Sequence, residues 1–243
     1  MKSLKESSQR QVKQRIVKAV NTMIFTLEGN IGVGKTTALK VFETQLKFDI
    51  PHVVVYEPVD DWLKVKAAGQ EKSLFELYYE DKARYGFVFQ MYALQTRFEH
   101  LIDTIKANPE KIIICERTPL TDCEIFAKMM YEQGFMSSDE FMVYENWYAF
   151  ITKLVSPHIR GIIYLRSDPS TCVGRIISRK RNGEDCIQLS YLDNVHKQHE
   201  AWLNQEHGST SNIPRLVLDG NNKDNTAHIE KVQQFIADSI ANS

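Results

Sequence analysis

The sequence predicts an α/β fold in which a five-stranded, mainly parallel sheet is flanked by helices. Two observations predict it: five short apolar runs alternate with stretches of helical periodicity, and the first run leads into a glycine-rich turn and a helix. Charged residues also follow several of the runs, where ligands bind in such sheets. With 243 residues, 43% of them hydrophobic, the chain is long enough for one domain with a large core.

Each strand is predicted from an apolar run bounded by turn residues, and each helix from apolar residues at three- and four-residue spacing. The strands are expected at 23–27, 52–56, 111–115, 161–165 and 215–218. We interpret the run at 52–56 as a second buried strand. The helices are expected after residue 35, through 60–108, at 121–133, 138–155, after Asp168, at 189–206 and at 226–240. This pattern predicts one domain over residues 23–243.

The preceding extension, residues 1–22, is strongly basic, because its lysines and arginines are opposed only by Glu6. This composition is typical of a mitochondrial transit peptide and also of a solvated N-terminal helix. We favour the helix, since no apolar face develops beyond Val12, Ile16, Val17 and Val20. The expected location is then cytoplasmic, with a mitochondrial location as the alternative.

Overall charge and cysteine spacing limit the classes of partner. Thirty basic and thirty-one acidic residues give a net charge of −1, so no overall positive field is available to hold a nucleic acid or an anionic membrane. No apolar run approaches the roughly 18 residues of a membrane helix. The cysteines at 115, 123, 172 and 186 form no Cys-x-x-Cys pair, which indicates reduced structural cysteines. Small ligands are the expected partners.

The glycine-rich turn matches the P-loop pattern in full and predicts a nucleoside triphosphate site. Its glycines let the backbone curl around phosphate oxygens, and the next helix directs free N–H groups at them. Lys35 is expected to reach the transferred phosphate, and the Thr36 hydroxyl to hold Mg²⁺. The expected donor site comprises Gly29, Asn30, Ile31, Gly32, Val33, Gly34, Lys35, Thr36 and Thr37.

Charged residues at the predicted strand ends indicate which kind of group accepts the transferred phosphate. A neutral hydroxyl needs a carboxylate to orient it and take its proton, whereas an anionic acceptor would be repelled by that carboxylate. Glu57, which follows the second strand, is the candidate for this carboxylate at a hydroxyl acceptor. The alternative is a solvated residue that only caps the end of the strand. Glu116 is a candidate for the metal and Arg117 for stabilising phosphoryl charge. A surface ion pair is the alternative for these two.

Three arginines, Arg175, Arg179 and Arg181, precede a polar break at Asn182-Gly183. The first two are four residues apart and share one helical face. A solvated basic face is the commoner explanation of such a run. The break favours a mobile lid over about 175–186, whose arginines close on the triphosphate.

Several motifs together resemble one family. They are Glu28-Gly29-Asn30-Ile31, Glu57-Pro58-Val59 with Trp62, Phe87-Val88-Phe89-Gln90, Glu116-Arg117-Thr118, the segment from Arg175 to Glu184, and Tyr191-Leu192 through His199-Glu200-Ala201-Trp202-Leu203. Over about residues 20–240 the chain resembles the deoxyribonucleoside kinases, which include deoxycytidine, deoxyguanosine and insect-type multisubstrate kinases. The resemblance implies a P-loop kinase fold and transfer of phosphate from ATP, or another triphosphate, with Mg²⁺.

The resemblance also implies how the deoxynucleoside sugar is held. Glu57 would be the general base at the 5′-hydroxyl, with Arg117 beside it. Tyr79 and Glu184 would hold the 3′-hydroxyl. Relatives are usually homodimers, and the helices at 89–105 and 138–155 are apolar enough to permit this.

For the base, the resemblance implies a pairing by the Gln90 amide, which donates and accepts at once. Arg97 and Asp122 match a charged pair found in members that prefer deoxycytidine or purine deoxynucleosides. That pair, with Ala93 beside it, favours deoxycytidine, deoxyadenosine or deoxyguanosine over thymidine. Aromatic residues would line or stack on the base unless they are plain core: Trp62, Phe89 and Phe126.

Other functions stay open on the sequence alone. A thymidylate-type nucleotide kinase is the enzymatic alternative, and Glu57 argues against it on charge. A non-catalytic P-loop binding module is the alternative from another class. The loop at 219–224 lacks an aromatic that surrounds the donor base in some relatives, which leaves ATP and UTP both open as donors.

Overall fold

The computed structural model describes residues 22–66, 69, 71–184, 187–204, 210–222 and 224–241, so the predicted extension lies outside the described residues apart from Thr22. The strands are β1 (Met23–Glu28), β2 (His52–Val55), β3 (Ile112–Glu116), β4 (Ile159–Arg166) and β5 (Arg215–Asp219). The helices are α1 (Lys35–Gln45), α2 (Val59–Lys64), α3 (Leu74–Glu80), α4 (Lys82–Ala107), α5 (the consecutive segments Pro119–Thr121, Asp122–Ala127 and Lys128–Glu132), α6 (Ser138–Val155), α7 (Pro169–Arg179), α8 (Leu189–Leu203) and α9 (Ile229–Ala241). Short 3₁₀ turns lie at Ser156–His158 and Asn225–His228.

The strands form one parallel sheet in the order β2-β3-β1-β4-β5, which confirms the predicted α/β fold. β1 lies at the centre and pairs with β3 from Met23 opposite Ile112 to Leu27 opposite Glu116. Because the strands run in one direction, their carboxyl ends share one edge of the sheet. That edge brings together the P-loop after β1, the residues after β2 and the end of β3.

The central strands are buried on both faces, which explains why they read as continuous apolar runs. Ile112, Ile113 and Ile114 of β3 are fully buried, as are most side chains of β1. The prediction of a buried strand at 52–56 is wrong, because β2 is the edge of the sheet and only Val54 in it is buried. None of the helices in the described part of the chain has both the length and the apolar character needed to cross a bilayer.

The helical stretch predicted over 60–108 is three helices. Ser73 begins α3 with a capping box, accepting from the Glu76 backbone N–H while the Glu76 carboxylate accepts from the Ser73 N–H. The Asp81 carboxylate then accepts from the Arg84 N–H at the start of α4. These short polar side chains offer the backbone an alternative to a continued helix, and they divide a run whose apolar periodicity is continuous.

Candidate active site

The P-loop turn after β1 depends on glycine at close approaches. Gly29 has φ 146° and Gly32 has φ 81°, both in the region that favours glycine. A Cβ at Gly29 would lie 2.5 Å from the Leu165 carbonyl oxygen, and one at Gly32 would lie 2.7 Å from a carbonyl oxygen of α7. Asn30 fixes the turn from the other side, since its Nδ2 donates to the Leu192 carbonyl at 2.9 Å. The turn is therefore held between β4, α7 and α8.

Lys35 begins α1 and points its ammonium group back into the turn. Its Nζ donates to the carbonyls of Gly29 and Asn30, at 3.2 and 3.0 Å, and lies 3.8 Å from Glu116 Oε1. Burial, together with the nearby Arg117, lowers the pKa of Lys35 to about 8. The buried ammonium group therefore lies within reach of a phosphate bound in the turn.

Thr36 and Glu116 supply oxygen atoms next to Lys35. The Thr36 hydroxyl donates to Glu116 Oε2 at 2.9 Å, which joins the first turn of α1 to the end of β3. A hydroxyl and a carboxylate are hard oxygen ligands, and two protein oxygens suit an ion that keeps water and phosphate oxygens as its other ligands. The pair fits the predicted Mg²⁺ site.

Glu57 lies in a buried cluster of alternating charges. Its Oε1 accepts from Arg97 at 2.9 Å, and both of its oxygens accept from Arg117, at 3.1 and 3.2 Å. Arg97 Nε also donates to Asp122 at 2.8 Å, and Arg117 Nη2 donates to the Gly29 carbonyl at 2.9 Å. Burial would raise the pKa of Glu57, but Arg117 and Arg97 outweigh it and hold that pKa well below its usual value. Glu57 is therefore ionised at neutral pH.

The start of α5 carries two of the predicted residues on a π-helical turn. The sequence predicts a regular helix over 121–133, whereas Asp122–Ala127 is π-helical and follows a first turn opened by Pro119. Asp122 and Phe126 line the same cavity, and the Arg117 guanidinium lies 5.2 Å from the centre of the Phe126 ring. π-Helical turns are rare and occur often at functional sites.

The cavity between Glu57 and α4 has an aromatic wall. Phe89 stacks on Tyr78, with ring centres 4.6 Å apart, and meets the edge of Trp62 at 5.5 Å. The Trp62 Nε1 donates to Thr96 at 2.9 Å. Phe89 and Trp62 are buried and also line the cavity, so they are both core residues and cavity-lining residues, the two interpretations made from the sequence.

Gln90 lies in the same wall and is buried. Three further aromatic residues line the cavity and were not predicted as site residues: Phe75, Tyr78 and Tyr191. The Tyr78 and Tyr191 hydroxyls are 3.2 Å apart. In the sequence they follow helical periodicity, which is the same signal that a core aromatic gives.

Two of the predicted lid arginines face the cavity. α7 ends at Arg179, and Lys180 then turns the chain with φ 50°. Arg179 grips the Glu184 carboxylate with two hydrogen bonds of 2.6 Å, and Arg181 adds one of 3.3 Å. Glu184 is buried and lines the cavity together with Tyr79. Residues 185 and 186 of the predicted lid lie outside the described residues.

Arg175 takes a different position from the one the lid prediction gives it. Its guanidinium donates to the carbonyls of Val33, Gly220 and Asn221, at 2.5, 2.7 and 3.0 Å. It joins the P-loop to the loop after β5, and it is absent from the described lining of the cavity. The sequence places it one helical turn before Arg179 but gives no signal for these three backbone acceptors.

Comparison with known proteins gives one consistent family. The family described as deoxynucleoside kinase matches residues 25–242. The chain is 32% identical over 237 residues to deoxycytidine kinase of Mus musculus, which covers 87% of this chain and 90% of that protein. It is 30% identical over 213 residues to a mitochondrial deoxyguanosine kinase of Xenopus laevis, covering 79% of each chain. It is also 30% identical over 195 residues to a probable deoxycytidine kinase of fowlpox virus (strain NVSL), covering 80% of this chain and 77% of that one.

Proposed function

The chain belongs to the deoxynucleoside kinase family, and we propose that it transfers the γ-phosphoryl group of Mg²⁺-bound ATP to the 5′-hydroxyl of a deoxynucleoside. Membership confirms the resemblance seen in the sequence and makes the chain an enzyme, an ATP-dependent nucleoside kinase. The alternative of a non-catalytic binding module is set aside on that ground. One observation supports the acceptor chemistry: the ionised Glu57 and the P-loop lysine line the same cavity. One part of the cavity therefore repels an anionic acceptor, and another part binds phosphate.

The donor triphosphate is held by the P-loop and the lid. Lys35 and the N–H groups of the turn bind its phosphates, and Mg²⁺ held by Thr36 and Glu116 neutralises part of their charge. Arg179 and Arg181 now grip Glu184. We propose that they exchange this carboxylate for the phosphate oxygens when the triphosphate enters, which leaves Glu184 for the sugar.

The sugar is held at both hydroxyls. Glu184, released by the lid arginines, accepts from the 3′-hydroxyl beside Tyr79. Glu57 orients the 5′-hydroxyl and takes its proton. A strongly depressed pKa makes a weak base, so Glu57 gains basicity only when one cation leaves it. We assign this role to Arg117. When its guanidinium turns from Glu57 towards the phosphoryl group, the pKa of Glu57 rises, and positive charge is placed where negative charge develops in the transition state.

Arg117 has a donor left for this movement. Its buried Nε has no hydrogen-bond partner among the described residues. We assign that donor to the phosphoryl oxygens.

The base is read by Gln90 and by the Arg97–Asp122 pair. This pair is buried and hydrogen-bonded, so it fills space beside Ala93 with polar atoms. A thymine methyl would be placed against charge, whereas an exocyclic amine would find an acceptor. We therefore propose deoxycytidine, deoxyadenosine and deoxyguanosine as better substrates than thymidine.

The exposed face of α6 supports a homodimer. Large apolar side chains are exposed along this helix, and Trp147 and Phe150 each show more than half of their surface, 53% and 54%. The set is Met142, Val143, Trp147, Phe150 and Leu154. A contiguous apolar face on a helix is typical of a subunit interface. Light scattering on the wild type and on Trp147→Asp measures the dimer directly.

The compartment is proposed to be the cytoplasm. The described cysteines, Cys115, Cys123 and Cys172, are buried free thiols, which agrees with a reducing compartment. A mitochondrial location is the alternative, and it depends on residues 1–22. Imaging the chain with and without these residues fused to a fluorescent protein separates the two.

A substrate panel tests the proposed function. The four deoxynucleosides are assayed as acceptors with Mg²⁺-ATP and with Mg²⁺-UTP as donors, and products are identified as 5′-monophosphates. We expect phosphorylation of deoxycytidine or a purine deoxynucleoside and a lower kcat/KM for thymidine. Thymidine as the best substrate would refute the base preference, and no product from any deoxynucleoside would refute the function.

A further inference from the structure

Glu28, the last residue of β1, is a fully buried carboxylate to which the mechanism assigns no role. The Thr26 hydroxyl donates to its Oε1 at 2.5 Å. The Thr121 hydroxyl reaches both of its oxygens at 2.8 Å. Burial is the largest effect and raises the pKa of Glu28, although these two hydroxyls and the cations of Arg117 and Lys35 oppose it. Both of its oxygens accept hydrogen bonds, which offsets part of the cost of burying a polar group.

Thr121 connects Glu28 to the turn that follows β3. Its hydroxyl accepts from the Thr118 N–H at 3.2 Å, and its own N–H donates to the Thr118 carbonyl at 3.0 Å. Thr118 directly follows Arg117. Glu28, the Thr121 hydroxyl and the Thr118 N–H therefore form a continuous chain of hydrogen bonds beneath the site.

Arg117, which directly precedes the last residue of this hydrogen-bond network, has a strained backbone. Arg117 has φ 62°, one of two non-glycine residues with positive φ in the described part of the chain. Such a conformation costs about 1–3 kcal/mol and persists only where the surroundings determine it. The Arg117 N–H also donates to the Leu27 carbonyl at 3.2 Å, next to Glu28 in β1. Hydrogen bonds to β1 and to the start of α5 therefore keep Arg117 in this strained conformation.

The left-handed turn ends β3 and coincides with the folding back of the Arg117 side chain across the carboxyl edge of the sheet. There its guanidinium meets the Gly29 carbonyl at 2.9 Å and the Glu57 carboxylate. An extended residue at 117 would continue the direction of β3. The position of the guanidinium beside the P-loop therefore depends on the turn.

We propose that Glu28 is a positioning residue for Arg117, acting through the Thr121 hydroxyl to hold the left-handed turn that places the Arg117 guanidinium at the P-loop. The proposal rests on the proposed function, because its kinetic consequence is a slower phosphoryl transfer. It predicts an effect on kcat and none on the binding of either substrate, since Glu28 and Thr121 are absent from the described lining of the cavity.

Two substitutions at residue 121 give a matched test. Thr121→Val keeps the shape and removes the hydroxyl, which leaves the Thr118 N–H without its acceptor. Thr121→Ser keeps the hydroxyl. We expect Thr121→Val to lower kcat by about 10- to 100-fold, the effect of a misplaced catalytic group, with both KM values unchanged. Thr121→Ser stays within about threefold of the wild type.

Glu28→Gln and a remote valine complete the set. Glu28→Gln keeps the shape but replaces one of the two acceptor oxygens by an NH₂ group that cannot accept from the Thr26 and Thr121 hydroxyls, and we expect it to lower kcat by about tenfold. Thr22→Val is the control, because Thr22 is fully buried directly before β1, away from Glu28, and its hydroxyl has no hydrogen-bond partner among the described residues. Thermal unfolding of each variant separates a local effect from loss of the fold. A folded Glu28→Gln or Thr121→Val with full kcat would overturn the proposal.

A double-mutant cycle and a crystal structure separate positioning from a general structural role. In an Arg117→Met background, we expect Thr121→Val to lower the remaining kcat less than twofold. An equal fold-loss in both backgrounds would overturn the proposal. A crystal structure of Thr121→Val should show Arg117 out of the left-handed region, and an unchanged Arg117 would also overturn it. If the wild type phosphorylates no deoxynucleoside, the proposed function fails and this crystal structure still decides the positioning.

Discussion

The buried P-loop lysine makes ATP binding sensitive to alkaline pH. Lys35 is almost fully buried, and its pKa is lowered from 10.5 to about 8 by burial and by Arg117. A lowered pKa on a base means that the charged form is lost as the pH rises through 8. A triphosphate binds the charged form, so its apparent affinity must fall above that pH.

The size of the effect follows from the titration. In the free enzyme the protonated fraction of Lys35 falls from about 0.9 at pH 7 to about 0.1 at pH 9, so the apparent Kd of Mg²⁺-ATP rises about tenfold. At pH 8.5 each binding event takes up about 0.8 of a proton. Isothermal titration calorimetry in buffers of different ionisation enthalpy measures both quantities.

Lys35→Arg is the matched control. A guanidinium stays charged over this range, so its Kd is independent of pH from 7 to 9 even if the bulkier group binds more weakly throughout. A wild-type Kd that does not change between pH 7 and 9, or one that rises equally in Lys35→Arg, would refute the reasoning.

Three further predictions concern buried ionisable groups. Glu57→Gln lowers kcat by about 10²- to 10⁴-fold, the contribution of a general base, with nucleoside affinity nearly unchanged in a binding assay. Arg97→Met alone leaves Asp122 buried without its cation and destabilises the fold by about 3–5 kcal/mol in urea unfolding, whereas adding Asp122→Ala restores most of the loss and shifts kcat/KM towards thymidine. His199 is fully buried, and burial lowers its pKa to about 3, so it stays neutral in the folded protein. The unfolded chain binds a proton there near pH 6.5, so stability falls by about 2 kcal/mol between pH 7 and 5, and His199→Gln loses this part of the pH dependence in urea unfolding.

Each of these has a contradicting result. Unchanged turnover in Glu57→Gln would remove that residue from the role of base. A double variant at 97 and 122 that is no more stable than Arg97→Met would show that the charge pairing is not what stabilises Asp122. An acid dependence that is the same in His199→Gln would assign the loss of stability to other groups.

The carboxyl edge of the sheet was predictable because its signals are local. The P-loop pattern fixes a turn between a strand and a helix, and Glu57 and Glu116 each lie two positions after a run of three β-branched residues. Parallel strands then bring their ends to one edge whatever their order. The order itself was not predictable, and the edge strand β2 reads the same as a buried strand because β-branched residues suit both.

The features missed from the sequence depend on contacts distant along the chain. Arg175 finds its acceptors in the P-loop and after β5, 142 and 45 residues away in the case of the Val33 and Gly220 carbonyls. Thr121 reaches Glu28 across 93 residues. The positive φ of Arg117 and the π-helical turn after it carry no composition signal, since neither uses glycine or asparagine at the unusual position.

The most direct test of the central claim compares a deoxynucleoside with its own 5′-monophosphate as acceptors under the same Mg²⁺-ATP. The two differ by one 5′-phosphate group, which would present negative charge to Glu57 in place of a neutral hydroxyl. We predict that the deoxynucleoside is phosphorylated and that the monophosphate is not, because the ionised Glu57 carboxylate repels a phosphate in place of the 5′-hydroxyl. A higher kcat/KM for the monophosphate would identify a nucleotide kinase and contradict the account.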